Sequence, residues 1–152
     1  MKNHEEGDSK LTSLGVQQAR KIAARAVRLP FEIIISSDYT RALQTAEIIR
    51  KRISKKLVVT PLLREEKHPL ELVGKDINNP DVIRIKKLLY KNRNRRRWHF
   101  SDEENFFDLK KRVGKFLQFL EKRKEENILI IGHIIVTRIL IGVMTFGDAL
   151  TP

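Results

Sequence analysis

Apolar residues recur at helical spacing over residues 13–27, with Leu14, Ile22, Ala23, Ala26 and Val27 on one side and Thr12 placed as an N-cap. Pro30 breaks the pattern. The run FEIIIS at 31–36 is short and β-branched, the mark of a strand covered on both faces. Helical spacing resumes over 39–53, with Ala42, Leu43, Ala46, Ile49 and Ile53 inward, Ser36, Ser37 and Asp38 supplying the cap, and Lys55 and Lys56 closing the helix. LVVT at 57–60 reads as a second strand. Residues 61–80 lose all period, 81–90 regain a helical one, and 91–101 are irregular. Ser101-Asp102-Glu103-Glu104 has the form of a capping box and predicts a helix from 101 to about 124, with Phe106, Leu109, Val113, Phe116, Leu117 and Leu120 inward. NILII at 127–131 is a third buried strand, Gly132-His133 the turn after it, and 134–145 a last apolar helix. Strands alternating with helices predict an α/β fold in three layers, α/β/α, around a mostly parallel sheet.

Composition narrows this further. A chain of 152 residues suits one domain over 1–152. With no cysteine, disulfides, thiolate nucleophiles and cysteine-bound zinc are excluded, and the chain suits a reducing, cytoplasmic setting. The 31 Lys and Arg against 19 Asp and Glu leave a net charge of +12, which attracts phosphate esters and other polyanions without choosing among them. The window 128–146 is long enough to span a bilayer, but His133 and Arg138 lie inside it, and a buried strand followed by a buried helix accounts for the same letters. The opening residues 1–10 are polar, have no apolar signal-peptide core, and read as a tail.

Candidate chemistry collects where strands end. In an open parallel sheet, ligands bind beyond the carboxyl ends of the strands, where the following helices aim their N-termini. Arg41 falls in the first helical turn after strand 31–36, and His133 at the equivalent point after strand 127–131. If both strands run parallel, the two share one edge of the sheet and predict a phosphate site: an arginine grips phosphoryl oxygens with two bonds, helix N-termini favour anions, and a histidine donates or transfers a proton. Taken singly, a strand-end histidine is as often a structural residue, and a first-turn arginine is more often a solvated charge.

The flanks of these residues resemble the histidine phosphatase superfamily, in its phosphoglycerate mutase-like branch. Leu11-Thr12-Ser13-Leu14-Gly15-Val16-Gln17-Gln18-Ala19 is similar to that family's L-T-x-x-G-x-x-Q-A segment. Ser36-Ser37-Asp38-Tyr39-Thr40-Arg41-Ala42-Leu43-Gln44-Thr45-Ala46 resembles its S-S-D-x-x-R-A-x-Q-T-A segment. Leu63-Arg64-Glu65 resembles its L-x-E element, and Ile131-Gly132-His133 falls where its second histidine is expected. The resemblance implies phosphatase or mutase chemistry on a phosphorylated small molecule through a phosphohistidine, with no metal or other cofactor. Arg41, Ser37 and His133 would bind the phosphoryl group, His133 and Arg41 would also act in catalysis, and Glu65 would protonate the leaving group. Glu66 is a neighbouring rival for that last role.

The resemblance also carries departures. The family's nucleophile is the histidine of an Arg-His-Gly that ends a first strand, and this sequence contains no Arg-His-Gly. His4 follows asparagine with three residues before it and is read as part of the polar tail. Isoleucine at 134 stands where the family has glycine, and is expected to crowd the turn. The resemblance therefore implies a chain lacking strands at both ends and inactive without its nucleophile. It further implies a three-stranded remnant ordered 57–60, 31–36, 127–131, with self-association through a bare edge beside 127–131. A different class of reading rests on 84–100: eight positive charges from Arg84 to Arg97 without an acid, followed by Trp98 and Phe100, would suit nucleic acid or another polyanion. His68 and His99 are read as loop residues.

Overall fold

In a computed structural model, which describes residues 9–152, five α-helices and three strands follow one another along the chain, alternating except for two successive helices before the last strand. They are α1 (Ser13–Ala26), β1 (Ile33–Ser37), α2 (Thr40–Ile53), β2 (Lys56–Thr60), α3 (Pro80–Asn92), α4 (Phe106–Glu121), β3 (Ile128–Ile131) and α5 (Ile134–Phe146). The strands form one parallel sheet ordered β2-β1-β3, the order that the family resemblance implies. Ile34 of β1 registers with Leu57 of β2 on one side and Leu129 of β3 on the other. β1 is wholly buried, which its unbroken apolar run requires.

Two hydrophobic layers cover the sheet. On one face Ala23 and Ala26 of α1 and Ala46 and Ile49 of α2 pack on Ile34, with Leu57, Leu129 and Ile131 around them. On the other, Leu109, Val113 and Phe116 of α4 and Val136 and Leu140 of α5 pack on Ile35 and Leu63. Small residues let α1 and α2 approach the sheet closely. A satellite cluster of Leu72, Val82 and Ile85, with Phe100 against it, holds α3 to the loops around it.

Several local expectations change. The apolar side predicted for α1 is only half right: Ala23 and Ala26 are buried, but Leu14 and Ile22 are 62% and 48% exposed, and Val27 is exposed as well. α4 begins at Phe106, not at 101, because the acids before it are engaged elsewhere. Glu103 accepts from the amides of Phe100 and Ser101, Asp102 pairs with Lys67, and Glu104 binds Arg112. The capping box is instead Asn105 with Asp108, each side chain accepting from the other's backbone N–H. Ser36, Ser37 and Asp38 do not cap α2. Its N-cap is Tyr39, with no side-chain bond, because the Asp38 carboxylate is taken by Arg64 in a bidentate pair. Lys56 belongs to β2, and α2 closes on Ser54 in a left-handed conformation. Thr12 caps α1 as expected, its hydroxyl accepting from Gly15 N at 3.1 Å.

The aperiodic stretch 61–80 contains two short 3-10 turns, Pro61–Leu63 and Leu70–Leu72, that bury Leu63 and Leu72. The membrane-length window divides into β3 and α5. Among the described residues no helix is long and apolar enough to cross a membrane.

Candidate active site

Parallel β1 and β3 end side by side, so Ser37 and His133 emerge on the same edge of the sheet. Ser37 is fully buried and His133 is 9% exposed. The imidazole Nε2 lies 3.1 Å from the Ser37 hydroxyl, which also accepts from Tyr39 N at 3.3 Å. Tyr39 meets the imidazole edge-on, ring centres 5.2 Å apart. Burial, followed by the positive charge of Arg41, lowers the His133 pKa to about 4, so the ring is neutral at pH 7.

A cleft of about 720 Å³ opens beside this pair, lined among others by Arg41, Thr45, Glu65, His133 and Thr137. Arg41, in the first turn of α2, donates to the Ser9 hydroxyl at 3.1 Å. Its guanidinium lies 5.4 Å from the centre of the Tyr39 ring, and that of Arg64 lies 5.6 Å away. Glu65 reaches the same cleft from the loop after β2. Its Oε1 accepts from Glu66 N, Ile135 N and Val136 N at 3.0–3.2 Å, capping the N-terminus of α5. Its Oε2 has a longer contact, 3.3 Å, to Ile135 N. The carboxylate is therefore anchored on the first amides of α5 while the residue lines the cleft.

Arg41, Ser37, His133 and Glu65, drawn from distant parts of the sequence, are thus brought to one end of the sheet. Glu66 is not among the residues lining their cleft. It lines a second one, of about 330 Å³, with Leu72, Tyr90 and Trp98. Burial and the nearby negative charges of Glu65 and Glu104 raise its pKa to about 7. Ile134 does not crowd the turn: its side chain is 66% exposed and forms a lip of the cleft. A Cβ at Gly132 would meet only ordinary contacts, 3.4 Å or more. His4 lies outside the described residues. Among the described residues no three His, Asp or Glu side chains gather as a metal would need. His99 is not a free loop residue, since Nε2 lies 2.6 Å from the Asp108 carboxylate, and that bond raises its pKa.

The family model of the histidine phosphatase superfamily (branch 1) matches residues 2–149. The chain belongs to that superfamily. Among curated proteins it is 32% identical over 128 residues to "Putative phosphoserine phosphatase 2" of Hydrogenobacter thermophilus, covering 83% of this chain and 62% of that one. It is 43% identical over 60 residues to "Probable phosphoglycerate mutase GpmB" of Proteus mirabilis, covering 40% of this chain and 28% of that one. The chain thus spans less than two thirds of the length of these relatives. Among solved structures, Bacillus stearothermophilus YhfR superposes with a TM-score of 0.74 at 27% identity, over all of this chain and 72% of that one. A mycobacterial glucosyl-3-phosphoglycerate phosphatase superposes with a TM-score of 0.78 at 20% identity, over 94% of this chain and 71% of that one, which speaks for the fold alone. The histidine phosphatase fold accounts for the layers, the parallel sheet and the position of the cleft. Arg112, which sequence reasoning missed, bonds the Glu104 carboxylate and the carbonyl of Glu65 behind this cleft, and its only signal was a charge beside the inward Leu109, Val113 and Phe116 of an amphipathic helix.

Proposed function

We propose that this chain carries the phosphate-gripping part of a phosphohistidine phosphatase or mutase site acting on a phosphorylated small molecule. The observation that carries the reading is the neutral, buried His133 held against Ser37, at the edge of a cleft that Arg41 and Glu65 also line. A neutral imidazole donates to a phosphoryl oxygen, and Arg41 adds a permanent positive charge where charge develops on transfer. Glu65, which lines the same cleft, would protonate the leaving group. All of this sits in one histidine phosphatase-like unit over 1–152.

The 152 residues contain no Arg-His-Gly, so the reading includes inactivity of this polypeptide by itself. Inorganic phosphate should bind the chain, followed by NMR, and Arg41→Ala should abolish binding. Steady-state hydrolysis of a phosphomonoester by the unmodified chain, lost in His133→Ala, would overturn the inactive part. An added apolar strand ending in Arg-His-Gly should confer turnover. Self-association is part of the same reading. Among the described residues β3 pairs with β1 alone, and all four residues of β3 are partly exposed, which supports pairing of its outer edge with a second copy. Sedimentation that stays monomeric at rising concentration would reject it.

The alternative, a polyanion-binding module over 84–100, has narrower support. Tyr90 is exposed with Arg93 stacked 4.0 Å above its ring, a cationic platform at the end of α3. Phe100, however, packs on the satellite core and Trp98 lines the second cleft, so the two aromatics that follow the basic run are not set beside its charges on an open face. RNA binding that disappears at moderate salt would reflect charge alone.

A further inference from the structure

The loop that brings Glu65 to the cleft is itself fastened from behind by one side chain. Arg112, two turns into α4, spreads its guanidinium over both the loop and the segment that precedes α4. Nε donates to Glu104 Oε1 and Nη2 to Glu104 Oε2, both at 2.7 Å. Nη1 donates to the carbonyls of Leu62 and Arg64, both at 2.9 Å, and Nη2 to that of Glu65 at 3.3 Å. A guanidinium has five N–H donors, and here there are five contacts. The Arg112 side chain is mostly buried, which makes these bonds worth more than a surface pair and makes an unpaired partner costly.

These three carbonyls belong to the residues that set where Glu65 stands. Glu65 in turn accepts from the first amides of α5, directly after His133. A continuous series of bonds therefore runs from Arg112 through the backbone of residues 62–65 to the Glu65 carboxylate and the N-terminus of α5. Glu104 closes it from the other side, its Oε2 also accepting from Lys67 N. Arg112 is not among the residues lining the cleft with His133, so it does not touch what binds there.

We propose that Arg112 is a positioning residue: by clamping the carbonyls of Leu62, Arg64 and Glu65, it fixes the Glu65 carboxylate on the amides of Ile135 and Val136 beside His133. Its consequence for catalysis rests on the phosphoryl-transfer reading; the clamp itself does not.

The test uses the intact chain and NMR. In Arg112→Gln the amide protons of Ile135 and Val136 should lose the downfield shift that a carboxylate acceptor gives them, matching Glu65→Gln. Arg112→Lys should restore it in part. Loss of thermal stability in folded Arg112→Gln with the Ile135 and Val136 signals unmoved would show a merely structural residue and overturn the proposal. Should Arg112→Gln fail to fold, the unmodified chain still decides. A guanidinium bonded on every N–H should rotate slowly and show separate Nη proton signals on cooling, whereas one averaged signal would overturn the clamp. Phosphate binding, tested through Arg41→Ala, fails or holds independently of these signals, so the two readings can be rejected separately.

Discussion

His133 Nε2 and the Ser37 hydroxyl meet at 3.1 Å although they are 96 residues apart in sequence, and both side chains are buried. The contact exists because β1 and β3 are parallel neighbours that end together. Removing the hydroxyl would leave a buried ring nitrogen without its partner, which costs about 1–3 kcal/mol. Ser37→Ala should therefore unfold at lower temperature by calorimetry. It should also weaken phosphate binding, because the imidazole loses the contact that orients it. A variant with unchanged Tm and unchanged phosphate affinity would show that the hydroxyl orients nothing.

The neutral state of His133 has a pH signature. Its pKa falls from 6.5 in the unfolded chain to about 4 in the fold, chiefly through burial and then through Arg41. Between these values the unfolded state binds the extra proton, so the His133 contribution to stability is present above 6.5 and is lost as pH falls toward 4. An imidazole carbon signal followed by NMR should stay in its neutral position until about pH 4. Saturating phosphate should raise that midpoint, since a bound anion favours the imidazolium. Titration near 6.5 in the free protein would mean that the ring is open to water.

The sheet was legible because buried parallel strands are written as unbroken β-branched runs, and FEIIIS, LVVT and NILII are too short and too uniformly apolar to form amphipathic helices. Arg41 and His133 were legible for a related reason: each follows a strand directly, so sheet order alone brings them together. Helix starts were less so. Ser101-Asp102-Glu103-Glu104 has the right letters for a cap, but its acids are used by Arg112, Lys67 and backbone amides, partners that no local pattern reveals. The same holds for Asp38, taken by Arg64. The exposure of Leu14 and Ile22 was also invisible, since periodicity marks a face without saying what covers it. Which glutamate reaches the cleft was decided by the loop backbone, which points Glu65 to α5 and Glu66 to the other side.

Ser54 ends α2 in a left-handed conformation, φ 53°, with its N–H donating to Arg50 O at 2.8 Å. A side chain there carries a steric cost that glycine avoids. Ser54→Gly should stabilise the fold by about 0.5–1 kcal/mol, the left-handed strain of a side chain less the backbone entropy that glycine adds, raising Tm by about 1–4 °C at this chain length. The site is remote from the cleft, so phosphate binding should not change. A lower Tm would mean that the serine hydroxyl contributes more than the strain costs.

Glu66 should give the protein an opposite pH response from that of His133. Burial, then the negative charges of Glu65 and Glu104, raise its pKa from 4.5 to about 7, with Arg112 opposing only in part. Here the folded state holds the proton and the unfolded chain releases it. The stability is complete below 4.5 and declines as pH rises through 7. A shift of that size, discounted for the partial exposure of the side chain, corresponds to about 1–3 kcal/mol between the two limits. Glu66→Gln cannot ionise, so it should be more stable than the parent at pH 8 and equal to it near pH 4.5. Trp98 is the only tryptophan in the sequence and lines the same cleft, which supplies a local reporter. Its fluorescence should change with a midpoint near 7 in the parent and stay flat through that range in Glu66→Gln. If both proteins show the same fluorescence profile and the same decline in stability, the ionising group is not Glu66. The crowding of three glutamates around Arg112 would then be relieved by water in the second cleft.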